Sequence, residues 1–218
     1  MSASAPVTSP RRRESAPVTS PRREELLELA YEYVLEHGVG DLSLRPLAAA
    51  VHSSPRVLLF LFGSKAELVQ ALLARAREDE LELLHRARSV GAGGDLIAVT
   101  SELWRWLAAP EHRGLLTLWV EGYSRSLIDP DGPWTGFAAA TVADWLAVLG
   151  EAASGSHSEG GAGEAASSVH GDRAAGENDP TLVLAVLRGA MLDLLATGNL
   201  ERTTEAVERQ LALLREAR

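Results

Sequence analysis

Ser54-Pro-Arg-Val-Leu-Leu-Phe-Leu-Phe-Gly-Ser-Lys65 is the stretch that decides how this chain is read. A serine followed by proline caps a helix and then fills its first position, so a helix is predicted over Pro55–Leu61. Gly63 ends it, and Ser64-Lys-Ala-Glu67 is a capping box that opens a long helix at once. That helix runs to about Arg88, with an apolar stripe of Leu68, Val69, Leu72, Leu73, Ala76, Leu83 and Leu84.

Upstream, Ser43 caps a second short helix that passes through Leu47 to Ala50. Val51-His52-Ser53 joins it to the helix at Pro55, the right length for a helix-turn-helix. Further back, Leu26, Leu29, Ala30, Tyr33 and Val34 fall at helical spacing from Pro21 onward, and Gly38 and Gly40 stop that helix. Three short helices in about 40 residues, followed by a long one, predict a helix-turn-helix head. Downstream, helices are predicted from Asp95 to Ala108, Pro110 to Ile128, Trp134 to Ala152, Asp179-Pro180 to Thr197 and Glu201 to Glu216. Asp129-Pro-Asp-Gly-Pro133 is a turn. No stretch alternates like a strand, so the fold class is all-α: a three-helix head on a helical body.

Charge separates the same parts. The 218 residues carry a net charge of −9, yet residues 1–65 hold eight basic and seven acidic side chains against 13 and 23 in the remainder. One end is thus suited to a polyanion while the rest repels one. Residues 1–23 contain a tandem copy, Ser4-Ala-Pro-Val-Thr-Ser-Pro-Arg-Arg12 and Ser15 to Arg23, with Arg11, Arg12, Arg13, Arg22 and Arg23. Nothing apolar there can pack, so 1–23 reads as a disordered basic arm. The head is placed at 24–66 and the body at 67–218. Residues 153–178, mostly Gly, Ser and Ala, read as a flexible loop inside the body. Cysteine is absent. That excludes disulfides, cysteine-ligated metals and a thiol nucleophile, and fits a reducing cytoplasm. The longest apolar runs span six residues, far from the roughly 20 of a membrane helix, so no membrane association is expected.

In a helix-turn-helix the N-terminal part of the last short helix enters the DNA major groove. That singles out Ser54, Pro55, Arg56 and Val57. Arg56 can donate two hydrogen bonds to a guanine edge, and Val57 can meet a thymine methyl. Arg45 reaches a base or phosphate from the second helix. Lys65, the one lysine in the chain, sits where its charge and free backbone N–H groups form a phosphate clamp. A lone arginine reads more readily as a solvated surface charge; the joint spacing of these features is what carries the DNA reading.

Segment 24–73 resembles the DNA-binding head of TetR-family transcriptional repressors. The resemblance rests on the first helix ending in His37-Gly38, on Leu42-Ser-Leu-Arg-Pro-Leu-Ala48, on Ser54 to Lys65 and on Glu67-Leu68. In the body, Arg188-Gly-Ala-Met-Leu-Asp193 lies on the next-to-last helix. The resemblance implies a homodimer that reads a palindromic operator as double-stranded DNA, and a body that binds a small effector releasing that DNA. The family usually has tyrosine where Leu59 stands, histidine at Leu61, and glycine at His52 and Arg56. The leucines at 59 and 61 remove polar groups that in the family touch the DNA backbone, and the charge of Arg56 and of the basic arm is expected to offset that loss.

The body holds all five tryptophans. Trp104, Trp119 and Tyr123, with Asp193 in an apolar setting, are the candidate effector residues; Glu121, Arg125 and His112 are further polar candidates. Plain core packing is the competing account of the aromatics. Asp193 needs a partner, and Arg188 or another chain supplies it. Aromatic rings with an acidic rim suit an apolar or flat cationic effector. Leu182 to Leu195 is apolar on nearly every face and is expected at a four-helix dimer seam with Trp134–Leu149. The six histidines are scattered, no nucleophile elbow occurs, and Gly161-Ala-Gly163 lacks a preceding strand. Neither catalysis, a cofactor nor a metal is expected. The alternative is a helical protein-interaction module without specific DNA binding, suggested by Leu59-Phe-Leu-Phe62.

Overall fold

The computed structural model describes residues 20–90, 95–155 and 179–216. Arg11–Arg13 of the arm and residues 156–178 of the expected loop lie outside the described residues.

The head follows its caps at α1, α3 and α4, while Ser43, expected to cap the second helix, makes no side-chain cap bond. Helix α1 (Pro21–His37) begins where Ser20 Oγ accepts from Arg23 N at 3.2 Å and ends at Gly38, φ 78°. Helix α2 (Leu44–Ala50) and helix α3 (Pro55–Phe62) follow. Ser54 Oγ accepts from Val57 N at 3.3 Å. Leu26, Ala30 and Val34 of α1, Leu47 and Ala48 of α2, and Leu58 and Phe62 of α3 are all buried and form one core. Helix α4 (Lys65–Val90) leaves α3 at a 71° bend, with Ser64 Oγ accepting from Glu67 N at 3.1 Å. Its N-terminal Leu68 and Leu72 close the head core.

Helix α4 is also the spine of the body. It packs on α5 (Leu96–Leu107), α6 (Arg113–Ile128) and α7 (Phe137–Gly155). Helices α8 (Pro180–Thr197) and α9 (Leu200–Glu216) pack on each other, on α5 and, for α8, on α7. A polar cluster fixes α1 to α4: Tyr31 Oη donates to Asp79 Oδ2 at 2.7 Å, and Arg75 bonds both Asp79 and Glu28. The Arg75 guanidinium also lies over the Tyr31 ring, 4.8 Å from its centroid. Burial, then the carboxylate beside it, push the Tyr31 hydroxyl above its ordinary range, so it stays a donor.

Several boundaries differ from the sequence reading. Helix α1 starts at Pro21, so Arg22 and Arg23 belong to its first turn and not to the arm. Pro110–His112 forms a separate 3₁₀ turn before α6. Trp134–Gly136 precede α7 as a turn, which Thr135 Oγ1 holds by donating to Pro130 O and Gly132 O. Helix α7 continues to Gly155, into the segment read as loop. Run length is also a poor guide to two helices: Phe137–Ser154 and Pro180–Thr197 are long and apolar enough to cross a membrane. Both spend part of that surface inside the body, where Trp145, Val148 and Leu149 of α7 and Val183, Leu184 and Leu187 of α8 are buried. Within one chain α8 keeps Leu182 and Leu192 exposed.

Candidate functional site

The exposed edge of α3 collects the residues picked for DNA. Leu58 and Phe62 point into the head core, which turns Arg56, Val57 and Phe60 outward. Arg45 on α2 and Lys65 at the start of α4 are exposed beside it. None of Arg45, Arg56 and Lys65 forms an ion pair or hydrogen bond among the described residues. Ser54 is occupied with its cap and Pro55 with the first turn. Phe60, 85% exposed, gives no charge or capping signal in the sequence, yet it lies one turn beyond Arg56 on the same face. His52, at the tip of the turn, adopts φ 50°, which explains why glycine suits that position. Arg23 lies over the Phe62 ring at 4.8 Å, so the start of α1 is held against α3.

A carboxylate of the body grips the head. Glu121 Oε2 on α6 accepts from Val39 N at 2.7 Å and from Gly40 N at 3.2 Å, the turn between α1 and α2. A Cβ on Gly38 would lie 2.9 Å from Glu121 Oε1, so the turn must be bare there. Gly114 sits at a second close approach of α6 to α1, with its Cα facing the Leu35 carbonyl directly.

The other side of α6 lines a cavity of about 420 Å³ between α4, α6, α7 and α8. Its walls are apolar and aromatic, with Trp119, Tyr123, Phe137, Trp145 and Met191. Trp119 and Tyr123 are thus brought together as expected. Trp104 is not there; it packs between α5 and α9, and its Nε1 donates to Thr204 Oγ1 at 3.1 Å. Asp193 is not there either. It accepts from Arg202 at 2.5 and 2.6 Å and ties the end of α8 to α9, and that bond holds its carboxyl below the usual range. Residues five apart on a helix point about 140° apart, so Asp193 cannot face where Arg188 faces. His112 stacks on Trp106 at 3.7 Å, and Glu121 belongs to the head joint.

The charged groups that do line the cavity are Glu80 and Arg188, with Ser124 and Thr141 as neutral polar neighbours. Glu80 is fully buried and accepts from Trp145 Nε1 at 2.7 Å, Thr141 Oγ1 at 3.3 Å and Arg77 Nη1 at 3.3 Å. Arg77 in turn pairs with Asp144. In the sequence Glu80 is one of many charges between Arg75 and Glu82, yet it fills the gap in the apolar stripe between Ala76 and Leu83. Burial pushes its carboxyl up, against the pull of its three donors. A raised carboxyl stabilises the fold fully below its unfolded value of about 4.5 and loses that contribution as pH rises through the folded value. Wild type should therefore lose stability relative to Glu80→Gln as pH is raised above 4.5, measured by denaturant titration of both. A difference independent of pH would contradict this.

No protein-family model matches the sequence, and no curated protein does. Solved structures do. The multidrug binding protein EbrR complexed with imidazole is 21% identical, with 93% of this chain and 96% of that one covered at a TM-score of 0.58. EbrR complexed with proflavin is 22% identical, covering 88% and 99% at 0.57. A protein from Rhodococcus sp. assigned as a TetR-family transcriptional regulator is 20% identical, covering 90% and 97% at 0.56. From capped head to α9, the chain therefore has the fold of TetR-family regulators.

Proposed function

We propose that this protein is a sequence-specific DNA-binding transcriptional regulator, a homodimeric repressor that leaves a palindromic operator when a small effector enters the body. The observation that carries this is the edge of α3, where Arg56, with Arg45 on α2 and Lys65 at the start of α4, stands exposed and unpaired among the described residues, while Leu58 and Phe62 hold the helix to the head core. Cations so placed read base edges and phosphates. Leu182 on α8 and Leu213 on α9, with Leu192 at the rim of the cavity, are exposed apolar residues suited to a second copy. The apolar cavity suits an effector, and the likeness to a multidrug binding protein solved with two different small molecules supports that use. Such a regulator works where the DNA is, in the cytoplasm.

Selection from random duplex DNA with purified protein tests this. Enrichment of an inverted repeat supports both the base reading and the paired copies. No enrichment at low salt favours the second reading, a protein-interaction module, for which the exposed Phe60 is the specific observation.

A further inference from the structure

We infer that the body cavity is built for an amphipathic effector with a carboxylate head on an apolar body, and that Arg188 is the residue that recognises the head. This rests on the cavity being the effector site proposed above, and it adds the chemistry of the ligand.

Arg188 Nη2 is buried and has no hydrogen-bond partner among the described residues. Its guanidinium lies over the Tyr123 ring, 5.1 Å from the centroid, inside the lining of the cavity. Arginine stays charged in proteins, so this donor cannot be silenced by losing a proton. A buried charged donor left without an acceptor is costly, and the site is complete only when something in the cavity accepts from it. The contact with the Tyr123 ring holds the guanidinium at the cavity wall, and its fork of donors suits a planar two-oxygen head.

Glu80, the other charged group of the lining, does not fill that role. Among the described residues its two oxygens already take donors from Trp145, Thr141 and Arg77, and its ion pair is with Arg77, not Arg188. The cavity thus has one satisfied pole and one unsatisfied pole. The satisfied pole is the carboxylate, so an incoming cation finds its natural partner occupied and Arg188 of like charge nearby. Of the apolar or flat cationic effector suggested by aromatic rings with an acidic rim, this reading keeps the apolar body and replaces the cation by a carboxylate. The remaining walls, Trp119, Phe137 and Met191 among them, ask for an apolar body. The volume of about 420 Å³ falls in the range of small-molecule sites.

The test uses the full chain and three probes with one skeleton: 4-phenylbutyrate, 4-phenylbutanol and 4-phenylbutylamine. Binding is followed by calorimetry and by quenching of tryptophan fluorescence. The carboxylate should bind about tenfold or more tighter than the alcohol and the amine. Arg188→Met should bring the carboxylate down to the affinity of the alcohol and leave the alcohol unchanged, which also shows that the variant is folded. Arg188→Lys, which keeps the charge but loses the fork, should weaken the carboxylate several-fold. The inference is overturned if the amine binds tightest, if Arg188→Met and Arg188→Lys leave the carboxylate as tight as before, or if no probe binds. Operator selection in the absence of probe is read separately. Selected DNA without carboxylate binding sinks the ligand chemistry alone, and Arg188-dependent binding without selected DNA sinks the regulator and leaves the site.

Discussion

Replacing Arg56 and Lys65 together by alanine is expected to weaken binding to the selected operator by about 100-fold or more. The two residues act differently, and the single variants separate them. Arg56 is exposed on the second position of α3 with its fork free among the described residues. A bidentate bond to guanine contributes roughly 1–3 kcal/mol of discrimination, so Arg56→Ala should lose most of its affinity on the operator and little on a scrambled duplex. Lys65 sits at the start of α4, beside N–H groups that no preceding turn satisfies. Lys65→Ala should weaken operator and scrambled duplex alike and reduce the slope of log K against log salt by about 0.9 for each phosphate that the lysine neutralises. Both positions occur twice in a dimer, which multiplies the effect. Fluorescence anisotropy across a salt series measures all of this. An operator-to-scrambled ratio unchanged in Arg56→Ala would mean that α3 does not read bases.

Gly114→Ala is expected to destabilise the protein by about 2–3 kcal/mol, a fall in Tm of roughly 4–12 °C. A Cβ at this position would land on the backbone oxygen of Leu35 and lie 3.2 Å from its carbonyl carbon. Backbone cannot swing aside as a side chain can, so α1 and α6 must separate to admit the methyl group. The same separation would pull Glu121 from the Val39 and Gly40 amides, so operator affinity should fall together with Tm. Gly150→Ala on α7 is the control, since a Cβ there meets nothing within 4 Å and alanine favours helix. Differential scanning calorimetry compares the two. Equal Tm values would show that α1 and α6 are not in fixed contact.

The head is legible in the sequence because its information is local. Ser54-Pro55, Gly63 and Ser64 to Glu67 are caps and stops whose physics acts within one turn, and the structure uses each of them. The α3 edge follows from spacing alone. The body is legible as helices but not as a site. Which face of α8 meets the cavity depends on α4, α6 and α7, far apart in sequence, so composition cannot sort Asp193 from Arg188. Trp104 and Trp119 look alike in the chain, yet one packs on α9 and the other on the cavity. Glu80 is obscured for the opposite reason. Its neighbours Glu78 and Glu82 are exposed and Asp79 is tied to Tyr31 and Arg75 of the α1 joint, and only the stripe to which position 80 belongs marks it as interior.

The hold of Glu121 on the head goes to main-chain amides of the turn, whatever side chains that turn carries. Such a joint is indifferent to the identity of nearly every residue on the DNA side. Substitutions at positions 45, 56, 57 or 60 can alter which bases are preferred without loosening the mount, provided position 38 stays glycine. Target preference and mechanical coupling are thereby free to diverge independently, one in the exchangeable surface of the reader and the other in a fixed socket.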